Sequence, residues 1–84
     1  MAMPELHTQM TSICAEILGR STVGPDDDLT VLGMDSVAAV AIVNRVESAF
    51  GVDVVDVIFD TPTVNHLCTA VRTSREVEGP HAAV

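Results

Sequence analysis

The sequence has 84 residues, of which 48% are hydrophobic and 2% are aromatic, and it carries a formal charge of −8 from 12 acidic and four basic residues. A chain of this length forms one small domain with a modest core, so there is little room for an enclosed active site. The charge argues against nucleic acid or an anionic membrane surface as a partner, because both bind clustered cations.

The first predicted helix runs from Pro4 to about Leu18. Its apolar residues recur at helical spacing on one face, and Gly19 is a natural C-terminal stop. The residues on this face are Leu6, Met10, Ile13, Cys14, Ile17 and Leu18. We therefore expect the helix to pack one side against a core.

A long connection follows over residues 20–35, interrupted by Gly24-Pro25 and carrying three consecutive aspartates, Asp26 to Asp28. Loops of this length are uncommon in compact domains and are often functional. Consecutive aspartates do not alternate as calcium ligands do in an EF-hand loop, so we predict a solvated acidic turn and no metal site. Three apolar residues are expected to anchor the loop to the core, namely Val23, Leu29 and Leu32.

The central helix is predicted over residues 36–50. Asp35 is a good N-cap, and Ser36 then lies on the first turn, where unpaired N–H groups and the helix dipole favour a phosphate ester. The core-facing stripe consists of Ala39, Ile42, Val43, Val46, Ala49 and Phe50. The opposite side carries apolar residues where an ordinary surface helix has charges, and it includes Val37, Val40, Ala41, Asn44 and Ser48.

Two shorter segments complete the chain. Residues 55–59 are predicted to form one or two helical turns, because a lone strand without a partner would be unstable. Thr61-Pro62 predicts the start of a last helix, with threonine as N-cap and proline as first residue, ending at about Arg72 or Thr73. Its apolar stripe is Val64, Leu67, Cys68 and Val71. We expect one domain over residues 1–84, with an ordered core of about 4–73 built around Phe50 and Phe59 and a flexible tail over 74–84.

The remaining reactive side chains do not form a recognisable catalytic or metal motif. Cys14 and Cys68 fall on apolar stripes, which favours buried free thiols over a disulfide or a metal site. The three histidines are scattered, and none can be paired with Ser36 from the sequence, so a serine hydrolase is disfavoured. The longest apolar run, 37–43, is too short to cross a bilayer, and we expect a soluble, cytoplasmic protein.

This ordered set of residues resembles the acyl and peptidyl carrier protein family. The hallmark is the pair Asp35-Ser36 at the start of the second helix, and the similarity extends from about Leu6 to Val71. It includes Pro25-Asp26, Leu29, Leu32-Gly33, Phe50-Gly51 and the stretch Phe59-Asp60-Thr61-Pro62-Thr63-Val64. The resemblance implies an all-α, four-helix bundle with a long loop between helices 1 and 2 and a short third helix.

The resemblance also implies a function. In that family a phosphopantetheinyl transferase attaches 4'-phosphopantetheine from coenzyme A to the serine, and the arm holds acyl or aminoacyl groups as thioesters. Ser36 would be the attachment residue, and Asp35 would lie at the transferase docking point. The surface for partner enzymes would comprise Val37, Val40, Ala41 and Asn44 of the second helix with Val55 and Ile58 of the third. We expect a monomeric carrier without catalytic activity, served by loading and condensing enzymes.

Three interpretations of the function of this chain remain open. The sequence Gly33-Met34-Asp35-Ser36 looks more like an acyl carrier, and Asn44-Arg45 is similar to carriers of polyketide synthases, which favours polyketide-type secondary metabolism. A peptidyl carrier of non-ribosomal peptide synthesis is the alternative. In a third interpretation the chain is an unmodified helical interaction module, in which Ser36 has only a structural role.

Overall fold

The computed structural model describes residues 5–82, with side chains over 6–74. Within this part of the chain the secondary structure consists of four helices: α1 Glu5–Leu18, α2 Ser36–Phe50, α3 Val55–Asp60 and α4 Val64–Ala82. Helix α1 packs against α2 and α4, and α3 packs against the same two helices. The predicted all-α bundle, with a long first loop and a short third helix, is confirmed. Pro4 lies outside the described residues.

The core is apolar throughout, and among the described residues no polar or charged side chain is buried. Each fully buried aliphatic side chain stabilises the fold by about 1.5–3 kcal/mol relative to leaving it in water. The predicted stripes of α2 and α4 supply much of the core, through Ala39, Ile42, Val43 and Val46 and through Val64, Leu67, Cys68 and Val71. The assignment of Ala49 to the stripe was wrong, because this residue is exposed. It lies about 70° from the centre of the four buried residues on a helical wheel.

The two phenylalanines do not form the centre of the core as predicted. Phe50 is partly buried, whereas Phe59 is 57% exposed. Ile58 is fully buried and takes the inward position of α3, flanked by the buried Val54 before the helix. Since consecutive helical residues point about 100° apart, burial of Ile58 turns Phe59 outward.

Both predicted ends of α4 differ from the structure. The helix begins at Val64, and Thr63 rather than Thr61 is its cap, accepting the N–H of His66 on Oγ1 at 3.1 Å. Thr61 instead ends α3, because its N–H donates to the carbonyl of Val57. At the other end the helix continues to Ala82, beyond the predicted stop at Arg72 or Thr73. Residues 74–78 contain no glycine or proline, so nothing in the sequence breaks the helix before Gly79-Pro80. The flexibility of this tail stays a prediction.

The long loop is anchored as predicted. Val23 and Leu29 are buried and Leu32 is packed against the core. Met34, which the sequence analysis did not single out, is buried as well. The loop therefore leads the chain from the core at Met34 directly to the start of α2.

None of the helices in the described part of the chain is long and apolar enough to span a membrane.

Candidate functional site

The start of α2 is built as the sequence predicted. Gly33 has a φ of 109°, a left-handed conformation that glycine adopts without strain, and Asp35 then has extended backbone. The Oδ1 atom of Asp35 accepts the N–H of Ala38 at 2.8 Å, and its carbonyl accepts the N–H of Ala39 at 2.9 Å. Asp35 is thus the N-cap, and Ser36 is the first residue of the helix.

Ser36 presents an available hydroxyl at this point. The residue is exposed, and its Oγ makes no hydrogen bond to any side chain or backbone group in the described part of the chain. The first-turn N–H groups of a helix carry partial positive charge, which favours an anionic group attached there. The carboxylate of Asp35 is directed to the N–H of Ala38. The site can therefore accept a phosphodiester on Ser36.

A cleft of about 230 Å³ lies beside Ser36. Its lining comes from the long loop, from α2, from α3 and from the segment that joins α3 to α4. The lining residues are Thr30, Met34, Asp35, Ser36, Ala39, Ile58, Phe59 and Pro62. Ser36 thus lies where the loop, α2 and α3 meet.

Apolar side chains are exposed on both helices that line this cleft. Val37 is 78% exposed and Val40 51% exposed on α2, and Val55 is 39% exposed on α3. Asn44 is exposed and Ala41 partly so. The structure thus places five of the six predicted partner residues at the surface.

Ile58 is the exception among the predicted partner residues. It is fully buried, so its assignment to the partner surface was wrong. The residue that the sequence analysis missed is Phe59, which is exposed in its place. The i, i+4 spacing of Val55 and Phe59 puts both on one side of a helix, but that spacing does not indicate whether this side faces the core or the solvent.

The acidic turn uses its carboxylates to hold the loop. Asp27 accepts the N–H of Gly24 at 2.9 Å, and Asp26 accepts the side-chain amide of Asn65 at 2.6 Å. The hydroxyl and N–H of Thr30 donate to Asp28 and lower the pKa of that carboxyl below its ordinary value of 3.8. The described residues contain no group of three or more acidic, histidine or cysteine side chains arranged to hold a metal ion.

No histidine or cysteine of the described residues lines the cleft beside Ser36. His7 hydrogen bonds to Asn65, and His66 hydrogen bonds to Thr63. Cys14 and Cys68 are buried free thiols, as predicted. Burial, together with the charge of Cys68, raises the pKa of Cys14 to about 12, and burial also raises the pKa of Cys68. Neither thiol is poised to act as a nucleophile near neutral pH.

Known proteins are similar to this chain over the region that contains Ser36. A family model described as "Phosphopantetheine attachment site" matches residues 8–71. The chain is 35% identical over 68 residues to the phosphinothricin tripeptide synthetase PhsB of Streptomyces viridochromogenes. That match covers 80% of this chain and 6% of the synthetase, so the chain spans only a small part of the length of this relative.

Two solved structures share the fold. BlmI, a type-II acyl carrier protein of Streptomyces verticillus involved in bleomycin biosynthesis, has a TM-score of 0.78 and 36% identity, covering 82% of this chain and 84% of BlmI. A chain from the complex of the phosphopantetheine transferase Sfp with coenzyme A and a peptidyl carrier protein has a TM-score of 0.79 and 25% identity. This second match covers 86% of this chain and 95% of that one.

Proposed function

The chain belongs to the family of carrier proteins defined by the phosphopantetheine attachment site, and from that premise we propose that Ser36 is the residue that carries the arm. The protein is a carrier without catalytic activity of its own, and its cofactor is covalently bound 4'-phosphopantetheine. Four serines lie within the matched residues: Ser12, Ser21, Ser36 and Ser48. Ser36 alone among them begins a helix directly after a capping aspartate, and this observation carries the proposal.

The residues of this chain supply the attachment point and its surroundings. Ser36 Oγ provides the oxygen of the phosphodiester, and the cap at Asp35 keeps that oxygen at the start of α2. The partial positive charge of the first turn offsets the negative charge of the diester. When bound, the arm provides a thiol that holds acyl or aminoacyl groups as thioesters, and this chemistry belongs to the cofactor.

We further propose that exposed and mostly apolar residues beside Ser36 form the docking face for partner enzymes. The face comprises Val37, Val40, Ala41, Asn44, Val55 and Phe59, and it spans α2 and α3 on either side of the attachment point. Contiguous exposed apolar residues commonly mark protein interaction sites. The partners are a phosphopantetheinyl transferase, in line with the similarity to a carrier in complex with one, and enzymes that load and condense the cargo.

The pathway we propose is antibiotic-type secondary metabolism in the cytoplasm. The similarity to a bleomycin acyl carrier supports an acyl cargo, and the local sequence Gly33-Met34-Asp35-Ser36 favours a polyketide-type carrier. The similarity to a tripeptide synthetase supports the peptidyl alternative. Holding the cargo on one tether raises its effective concentration at enzymes that recognise the docking face.

Peptide mapping tests the assignment of Ser36. After reaction with coenzyme A and a broad-specificity transferase, cleavage after arginine gives a peptide of residues 21–45 that separates Ser36 from Ser12 and Ser48. Fragmentation of that peptide distinguishes Ser36 from Ser21. The proposal predicts the added mass on Ser36, and a modification on any other serine would contradict it. If the chain were an unmodified interaction module, no peptide would gain mass.

A further inference from the structure

Asn65, near the start of α4, joins three parts of the fold. Its N–H donates to the carbonyl of Pro25 at 3.0 Å, and its Nδ2 donates to Asp26 Oδ1 at 2.6 Å. Its Oδ1 accepts from His7 Nε2 on α1 at 2.8 Å. The side-chain amide is oriented by these partners, because the Asp26 carboxylate can only accept. Asn65 therefore attaches the long loop to both α4 and α1, and the side-chain hydrogen bonds of Asn65 to Asp26 and His7 are called the clamp below.

The loop transmits this attachment toward Ser36 through successive hydrogen-bonded turns. The N–H of Leu29 donates to the carbonyl of Pro62 at 2.9 Å, and the carbonyl of Leu29 accepts the N–H of Met34 at 2.9 Å. Leu29 and Met34 are both buried, and Met34 is followed by the cap at Asp35. Every backbone N–H from Leu29 to Met34 thus donates a hydrogen bond, which ties this stretch together as it approaches Ser36.

The segment that joins α3 to α4 connects the loop to the α3 part of the docking face. Pro62, which accepts the N–H of Leu29, also lines the cleft beside Ser36 together with Ile58 and Phe59. Movement of the loop relative to α4 would change how Ser36 lies relative to α3. We propose that Asn65 is a positioning residue, which fixes Ser36 relative to the α3 part of the docking face. This inference rests on the proposed role of Ser36 as the attachment residue.

The expected kinetic signature is a change in KM. If releasing the loop leaves only a fraction of molecules competent to dock, the apparent affinity for the transferase falls in proportion to that fraction. Once a competent molecule is bound, the reacting hydroxyl is the same, so kcat is retained. Because the carrier is the substrate of the transferase, a lower folded fraction would raise the apparent KM in the same way. Circular dichroism and urea unfolding must therefore show that the variant is fully folded under the assay conditions.

The contact between Asn65 and Asp26 offers a matched set of variants. Asn65→Asp places a second carboxylate against Asp26 and removes the hydrogen bond between the two side chains. The exchange Asp26→Asn with Asn65→Asp restores a hydrogen bond with donor and acceptor reversed and keeps the net charge at −8. A carboxylate oxygen at position 65 still accepts the hydrogen bond that His7 donates. Thr69→Val serves as the control, because it removes the hydrogen bond that Thr69 Oγ1 donates to the Asn65 carbonyl at 3.0 Å without touching the clamp.

The experiment measures transferase kinetics on each apo variant with coenzyme A, alongside hydrogen exchange of the Leu29 and Met34 amides. We expect Asn65→Asp to raise KM about tenfold, as for a competent fraction of about one tenth, with kcat within about twofold of wild type. The two amides exchange faster in that variant. The double variant with Asp26→Asn and Asn65→Asp stays within about twofold of wild-type KM, and so does Thr69→Val.

An unchanged KM in a folded Asn65→Asp protein would overturn the inference, and so would a raised KM that the double variant fails to restore. If Asn65→Asp does not fold, Asn65→Ala removes the side-chain bonds without adding charge and is expected to raise KM in the same direction. Failure of the proposed function is distinguishable, because then wild-type Ser36 would gain no arm at all.

Discussion

Asp35 and Ala38 are joined by a hydrogen bond of 2.8 Å from the Ala38 N–H to the Asp35 carboxylate, and this bond defines where α2 begins. Because the bond closes the first turn, it also sets Ser36 as the first helical residue, with its hydroxyl exposed beside the loop. The position of the attachment residue therefore follows from an ordinary helix cap.

Replacing Asp35 should destabilise the protein by an amount that depends on how well the new residue caps α2. We expect Asp35→Ala to lower the free energy of unfolding by about 1 kcal/mol, because the N–H of Ala38 loses its partner. Asp35→Asn is the control, since asparagine caps a helix about as well as aspartate and should stay within a few tenths of wild type. Urea unfolding followed by circular dichroism measures both. Equal losses in the two variants would show that the charge, rather than the cap, is what stabilises α2.

The orientation of α3 predicts unequal losses of stability for substitutions at two neighbouring residues. Ile58→Ala removes a fully buried side chain and should cost about 2–5 kcal/mol of stability. Phe59→Ala removes a side chain that is 57% exposed and should cost far less, within about 1 kcal/mol. Urea midpoints of the two variants compare them directly. A larger loss for Phe59→Ala would mean that α3 is rotated by one residue from the orientation described above.

The docking face predicts a loss of recognition without a loss of fold. Val40→Glu puts a charge in the centre of the exposed apolar residues of α2, so we expect kcat/KM with the transferase to fall at least about tenfold, equivalent to 1.4 kcal/mol. Ala49→Glu adds the same charge at an exposed position outside the face and should leave kcat/KM within about twofold. Circular dichroism should show unchanged helicity in both. Equal effects of the two variants would contradict the assignment of the face.

The buried cysteines predict that native apo protein has no reactive thiol. Since burial raises the pKa of Cys14 to about 12 and also raises that of Cys68, both remain protonated at pH 8, and the thiolate is the reactive form. We expect no reaction with a disulfide reagent within minutes, reaction of both thiols in denaturant, and one fast thiol per molecule after the arm is attached. A fast thiol in native apo protein would show that the core opens readily.

The raised pKa of Cys14 also predicts that the folded protein loses stability at alkaline pH. A group whose pKa is raised in the folded state stabilises that state fully below its ordinary pKa, here 9.0, and loses this contribution as the pH rises toward the folded value of about 12. The urea midpoint of apo protein should therefore fall above about pH 9. Cys14→Ala should weaken that dependence. A midpoint with the same pH profile in wild type and variant would contradict the effect.

Much of the site could be predicted from sequence because it depends on local signals. Asp35 and Gly51 are an N-cap and a left-handed C-terminal stop, so the bounds of α2 followed from residues in or next to the helix itself. Its core stripe followed from periodicity over 15 residues. The similarity of Asp35-Ser36 to carrier proteins then added a function that periodicity could not provide.

The remaining features depend on tertiary contacts or on segments too short to show a period. A six-residue helix has fewer than two turns, so the sequence could not decide between Ile58 and Phe59 as the buried residue. The start of α4 was misplaced because Pro62 accepts a hydrogen bond from Leu29, far away in the chain. Asn65 was missed for the same reason, since its side-chain partners are 58 and 39 residues distant in sequence.

The most direct test of the carrier function at Ser36 is the intact mass of the protein after incubation with coenzyme A and a broad-specificity phosphopantetheinyl transferase. The assignment predicts the gain of one phosphopantetheine arm by wild type and by Ser48→Ala, and no gain by Ser36→Ala. If wild type gains no mass while the transferase modifies a control carrier, or if Ser36→Ala is still modified, the assignment of Ser36 as the attachment residue is wrong.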